Sequence, residues 1–156
     1  MHIAPATIAD ADAILALQRR AYAEEAARYD DWSIPPLTET LDALQQAFAT
    51  TTILKAIDGD TVIGSVRGKE EAGGCSICQI GRLIVEPERQ RQGIGSRLLH
   101  AIEHCFPDAR SFELFTGEQS TGNLRLYERH GYMAIERKAL SPKVTIVVLR
   151  KPAIVG

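Results

Sequence analysis

Gly81-Arg82-Leu83-Ile84-Val85-Glu86-Pro87-Glu88-Arg89-Gln90-Arg91-Gln92-Gly93-Ile94-Gly95-Ser96-Arg97-Leu98-Leu99 runs an apolar strand into a proline-marked turn and a polar loop. Two glycines then open an amphipathic helix. The start of a helix leaves backbone N–H groups without partners and carries the positive end of the macrodipole, so it favours an anion. Gly93 and Gly95 remove side chains that would hold a phosphate away from those amides. Each charge-assisted hydrogen bond there is worth about 1.5–3 kcal/mol. Residue types and spacing together predict a phosphate or pyrophosphate cradle. Arg89, Arg91 and Arg97 surround it; such a run reads either as solvated surface or as a field that steers an anionic ligand inward.

The common phosphate loops fit poorly. A P-loop requires Gly-Lys-Ser/Thr where this chain has Gly95-Ser96-Arg97, and a dinucleotide fingerprint requires a third glycine where Leu98 stands. The order Gln-x-x-Gly-x-Gly at Gln90, Gly93 and Gly95, after Leu-Ile-Val-Glu-Pro, resembles the acetyl-CoA loop of the GCN5-related N-acetyltransferase (GNAT) family. A second block lies downstream, Thr116-Gly117-Glu118-Gln119-Ser120-Thr121-Gly122-Asn123-Leu124-Arg125-Leu126-Tyr127-Glu128-Arg129-His130-Gly131-Tyr132. It is similar to the family's Asn-x-x-x-Tyr-x-x-x-Gly-Phe/Tyr segment, whose helix carries a catalytic tyrosine. Ser120 or Thr121 suits the cap of that helix and Gly131 its left-handed end. Asn123 and Tyr127 are four apart and share a face.

The rest of the chain is consistent with one domain over residues 1–156. It has 156 residues, 45% hydrophobic and 24% charged, enough for a sizeable core. A net charge of −2 gives no reason to expect nucleic acid as a partner, and no apolar run reaches membrane-span length. With no signal-peptide pattern at the N-terminus, the expected location is the cytoplasm. Three cysteines argue against a disulfide framework. Cys75-Ser76-Ile77-Cys78 lacks the second pair and the histidine that metal binding needs, and His2, His100, His104 and His130 form no ligand cluster, so no metal is expected.

The periodicities predict a helix over 7–29 capped by Thr7, with Ile14, Leu17 and Ala21 inward and Asp10 and Asp12 at its positive end. Asp30-Asp31-Trp32-Ser33-Ile34-Pro35-Pro36 should be held extended by its prolines, and Thr38 should start a second helix carrying Leu41, Leu44 and Phe48. Strands are expected at 52–57 and 61–69 around Asp58-Gly59-Asp60, at 75–85 after a turn at Glu71-Ala72-Gly73-Gly74, and at 111–116, 132–137 and 144–150. Helices are expected at 93–105 and 121–130. The order gives an α+β class: a mixed, mostly antiparallel twisted sheet with helices on both faces, in α/β/α layers. From about residue 3 to 150 it matches the acyl-CoA N-acyltransferase (GNAT) fold.

The resemblance implies acetyl-CoA as co-substrate. Carried over by position, Leu83, Ile84 and Val85 bind the pantetheine arm. Gln90, Arg91, Gln92, Gly93, Ile94, Gly95 and Ser96 wrap the pyrophosphate, with Asn123 and Tyr127 beside them. An amide near Leu83 would face the thioester carbonyl if the strand bulges there, and Tyr127 would protonate the leaving thiolate. The implied reaction is direct acetyl transfer to a primary amine of a small molecule or peptide. Histone-acetylating relatives place a glutamate base where Gln79 stands, so the base here is left to ordered water or to Glu24 or Glu25. Tyr22, Glu25, Tyr29 and Trp32, with Asp31 and Pro35, form the candidate acceptor surface; carboxylates mixed with aromatics suit a cationic amine, a dimer interface or a loop anchor. A homodimer through a sheet edge fits the fold. The alternative function is a non-catalytic acyl-CoA-binding module; a nucleotide-phosphate-binding protein is disfavoured because no lysine follows the glycines.

Overall fold

The computed structural model describes residues 1–71 and 76–153. The expected turn at Ala72-Gly73-Gly74 and the Cys75 end of the C-x-x-C string lie outside the described residues. The elements run β1 (His2–Pro5), α1 (Ala11–Tyr29), α2 (Pro35–Thr38), α3 (Leu41–Ala47), β2 (Thr52–Asp58), β3 (Thr61–Glu70), β4 (Ile77–Val85), α4 (Ile94–His104), β5 (Ser111–Gly117), α5 (Thr121–Arg129), β6 (Met133–Ser141) and β7 (Val144–Pro152). Single 3-10 turns at Ile8–Asp10 and Pro87–Arg89 lead toward α1 and α4.

All the strands join one sheet in the order β1-β2-β3-β4-β5-β7-β6. Among the described residues only β4 and β5 pair in parallel, across the α4 crossover. The α4 side of the sheet holds the larger core: Ile94, Leu98, Leu99 and Ile102 pack on Ile63, Val66, Cys78, Ile80, Phe112 and Leu149, joined by Tyr127 and Tyr132. Burying each of those aliphatic side chains contributes about 1.5–3 kcal/mol. The opposite side is covered by Ala11, Ile14 and Leu15 of α1 and Leu44 of α3 against Ile53. β7 is covered on both faces along Ile146–Val147–Val148–Leu149, as its apolar run predicts.

Three local expectations are corrected, and one strand was not expected at all. Pro35 and Pro36 do not hold the loop extended; only Ile34 before them is extended (φ −60°, ψ 143°), and the prolines occupy the first turn of α2. Proline's fixed φ is already helical, and its missing N–H costs nothing at that position. The second main helix is capped by Thr40, whose Oγ1 accepts from Ala43 N–H at 3.1 Å, and not by Thr38. Ser120 precedes α5 but makes no side-chain cap bond, because its hydroxyl is drawn to α1. β1 is absent from the sequence reading altogether: four residues ending in proline, on a sheet edge, carry too little alternation to register.

Candidate active site

Sheet geometry builds the cleft. β4 and β5 pair only from Ile77↔Ser111 to Gln79↔Glu113 and then part, so Ile80–Val85 has no ladder partner on its β5 side. On its other side β4 bulges: Ser65 pairs with Ile84 but Arg67 pairs with Gly81, leaving Val66 opposite both Arg82 and Leu83. Arg82 takes the left-handed conformation (φ +50°), which costs an L-residue about 1–2 kcal/mol. The extra residue reverses the pleat. Cys78 and Ile80 pack on the α4 side and so do Leu83 and Val85, which sends Arg82 and Ile84 to the α1 side. Gln79 sits at the closed end of the split, donating from Nε2 to Glu71 (2.8 Å) and Glu113 (3.3 Å).

The glycine loop stands at the open end. Arg91 (φ +65°) and Gly93 (φ +80°) are left-handed residues two positions apart, a backbone pattern that makes successive N–H groups converge. Gly93 precedes the first turn of α4, whose earliest capping bond is Arg97 N–H to Gly93 C=O at 3.1 Å. Among the described residues, the N–H groups of Gln90 through Ser96 reach no protein acceptor. They therefore fit a pyrophosphate, whose oxygens would supply the acceptors that the chain does not. Of the flanking arginines, Arg89 is tied to Asp58 (2.8 Å), whereas Arg91 is exposed beside the loop. Ser96 Oγ lies 2.9 Å from His130 Nε2, which links α4 to the end of α5.

Tyr127 is 6% exposed and packs edge-on to Tyr132, with ring centroids 6.0 Å apart, inside the α4-side core. Its hydroxyl lies within electrostatic range of Tyr22 and Glu25 of α1. Burial first, and then those two neighbours, push it above the ordinary tyrosine value. Among the described residues no protein group hydrogen-bonds its oxygen. Asn123, one turn earlier, is exposed and donates to Thr116 Oγ1 at 3.2 Å.

The four acceptor candidates are not equivalent. Tyr22 is half-buried in the cleft, and burial raises its phenol while Arg82 and Arg67 pull it back. Tyr29 is a strut: its oxygen accepts from Gln119 N–H (2.9 Å) and lies 2.9 Å from Ser120 Oγ. Ser120 in turn donates to Glu25 Oε2 at 2.6 Å, so Tyr29 donates to Ser120. The Tyr29 ring rests so closely on Gly117 that a Cβ there would overlap its hydroxyl. Glu25 also pairs with Arg28, as does the exposed Glu24. Trp32 is 59% exposed, away from this network.

Sequence reasoning missed a cluster on the α1 side of the gap, Gln18, Glu39, Arg67 and Arg82. Gln18 donates to Pro36 C=O and Glu39 (both 2.9 Å), and Arg67 grips Glu39 with two bonds. An arginine immediately before the apolar run Leu83-Ile84-Val85 was the available signal. Among the described residues no group of three or more His, Cys, Asp or Glu side chains is placed to hold a metal, and no helix is long and apolar enough to cross a membrane. Burial pushes the Cys78 thiol up to about 12, so it is an inert core group.

Comparison with known proteins bears on this geometry. The chain is similar to PaiA N-acetyltransferase from Thermoplasma acidophilum, solved in complex with coenzyme A: 18% identity, 98% and 100% of the two chains covered, TM-score 0.77. It is similar to ribosomal-protein-alanine N-acetyltransferase from Brucella melitensis at 16% identity, 98% and 100% coverage and TM-score 0.78. In sequence it is 30% identical over 123 residues to the UPF0157 protein YqkA of Bacillus subtilis (strain 168), covering 79% of this chain. The chain spans about a third of that relative, 34% of its length. A model of the acetyltransferase (GNAT) family matches residues 12–132, from the start of α1 to the end of the tyrosine segment. The split strands, the glycine turn and Tyr127 all fall within that match, and the chain belongs to the acetyltransferase (GNAT) family.

Proposed function

We propose that this chain is an acetyl-CoA-dependent N-acetyltransferase that moves the acetyl group directly onto a primary amine of a small molecule or peptide. The observation that carries the reading is the set of unpartnered N–H groups from Gln90 to Ser96 at the open end of the split between β4 and β5. Gln90 through Ser96 hold the pyrophosphate and the free edge of Leu83–Val85 receives the pantetheine arm. This lays the thioester along the gap toward Tyr127. An amide at the Arg82–Leu83 bulge then serves the carbonyl oxygen as it gains charge, an effect worth a few kcal/mol where it operates.

The amine attacks the thioester carbon, the C–S bond breaks, and the electron pair leaves on sulfur. Tyr127 donates its proton to that sulfur. Its raised pKa keeps it loaded at every working pH and makes it a weaker acid than the thiol formed, so the proton moves only as negative charge develops and the phenol refills from solvent. The attacking nitrogen loses its proton to ordered water. Glu25 is poorly suited to take it, being already engaged by Ser120 and Arg28.

Thiol release from acetyl-CoA against a panel of primary amines tests this. Turnover with at least one amine, and binding of coenzyme A with loss on blocking the glycine loop, is the expected result. Coenzyme A binding with no turnover across the panel would leave a sensing module instead.

A further inference from the structure

On the α1 side of the gap two guanidinium groups share one carboxylate. Glu39 is fully occupied: Arg67 donates from Nη1 to Oε2 (3.0 Å) and from Nη2 to Oε1 (2.5 Å), and Gln18 adds a bond to Oε1 (2.9 Å). Gln18 Oε1 is likewise taken, by Arg67 Nη2 at 3.2 Å. Arg82 comes second to this arrangement. Its Nε stays 4.0 Å from Glu39 Oε1, beyond hydrogen-bond reach, and is buried with no partner among the described residues. Burial pulls its guanidinium below the ordinary arginine value, yet 22% of the side chain remains accessible from the cleft. The other cleft carboxylate, Glu25, is matched by Arg28. Arg28 also takes the exposed Glu24, so neither of these α1 carboxylates turns to Arg82, whose guanidinium has only a distant share of Glu39 and stands half dried beside the gap.

A partly desolvated charge with no hydrogen bond to its shared counter-ion is costly, and here a strained left-handed backbone presents it. A polycationic amine entering this cleft would meet repulsion from Arg82. An amine that carries its own anion would meet a guanidinium edge, the donor geometry best matched to a carboxylate. We propose that the acceptor is an amine bearing a carboxylate, an amino acid or a compound of amino-acid type, whose carboxylate pairs with Arg82 while its amino group points toward Tyr127. This rests on the transferase reading and narrows it to a substrate class; Arg82 is its specificity-determining residue.

The test compares each of several L-amino acids with its amide and its decarboxylated amine, with spermidine as the polycation and an aminoalkylphosphonate as the alternative anion. The readout is thiol release from acetyl-CoA. The carboxylated member of each set should have the higher kcat/KM, by about tenfold to a hundredfold, the range of one charged hydrogen-bonded contact. Arg82→Gln should collapse that ratio toward one chiefly through KM, and Arg82→Lys should restore part of it. Preference for the phosphonate over every carboxylate would overturn the carboxylate assignment. Amides, decarboxylated amines or spermidine turning over as well as the acids in the unmodified protein would sink the proposal while leaving the transferase reading intact. Failure of every amine despite bound coenzyme A would end both. The wild-type ratio decides the matter even if the Arg82 variants fold poorly.

Discussion

Tyr127→Phe separates the proposed chemistry from architecture because the ring and the hydroxyl of that side chain meet different surroundings. The ring belongs to the core, edge-on to Tyr132, and phenylalanine keeps it. The hydroxyl bonds no described protein group, so its loss orphans nothing, and stability should change by less than about 1 kcal/mol. Loss of a positioned proton donor costs about 10²–10⁴ in rate, which corresponds to about 2.7–5.5 kcal/mol of barrier. Thiol-release kinetics should therefore show kcat reduced across that range, while calorimetry with coenzyme A and the thermal midpoint stay unchanged. The pH profile supplies a second reading. Burial raises the Tyr127 pKa, and the neutral form that donates exists below that value. Activity due to the phenol is thus present throughout the neutral range and lost only above the ordinary tyrosine value of about 10. Wild-type turnover in the phenylalanine variant would refute the role of Tyr127, and an alkaline fall well below the ordinary tyrosine value that the variant abolishes would refute its environment.

Gly93→Ala places an L-residue at φ +80° with open space around the new Cβ, so backbone strain of about 1–2 kcal/mol is the main cost. Coenzyme A should bind several-fold more weakly by calorimetry while a phosphate-free pantetheine analogue is unaffected; equal weakening of both would relocate the cradle. Gly117→Ala should displace Tyr29 and, like Tyr29→Phe, unsatisfy the Gln119 N–H, at about 1–3 kcal/mol in urea unfolding. Neutral behaviour in both variants would remove Tyr29 as a strut. Burial alone would raise the Glu39 carboxyl, but bonds from Arg67 and Gln18 bring it below its ordinary 4.5. Its contribution to stability is therefore present above the ordinary value and lost as pH falls through the lowered one. Glu39→Gln should lower the urea midpoint at pH near 7 and converge with wild type in acid; a constant offset at all pH would mean the carboxylate charge is not what stabilises the cluster.

Legibility in the sequence followed the range of the interactions. The strand, glycine turn and helix from β4 into α4 are local, and the string from Gly81 to Leu99 describes them almost residue by residue. The alternation of β7 and the hairpin at Asp58-Gly59-Asp60 are local too. Less was visible where two segments compete for one side chain. Ser120 looks like a cap until α1 brings Glu25 and Tyr29 within reach. Tyr29 reads as a surface aromatic because the bare Gly117 backbone on which it rests is 88 positions away in sequence. The bulge at Arg82 depends on mismatched spacing in β3 and β4 together, and neither strand alone betrays it. With the bulge went Arg82 itself, which an unbroken pleat would have turned into the α4-side core.

The position of β7 between β5 and β6 has a temporal consequence. During synthesis β1 to β4 can zip as a meander of neighbours as they emerge, with α1 and α3 already made to cover one face. β5 can pair on emergence only with the start of β4; its antiparallel companion β7 is translated later, after β6, and β6 has no other partner among the described residues. The half of the sheet that carries Tyr127 should therefore remain soft on the ribosome until residue 152 is free, and then close in one late, long-range step. A nascent chain arrested before Val144 should protect β2 and β3 from hydrogen exchange while leaving β5 open, so the cofactor gap would be among the final features to exist.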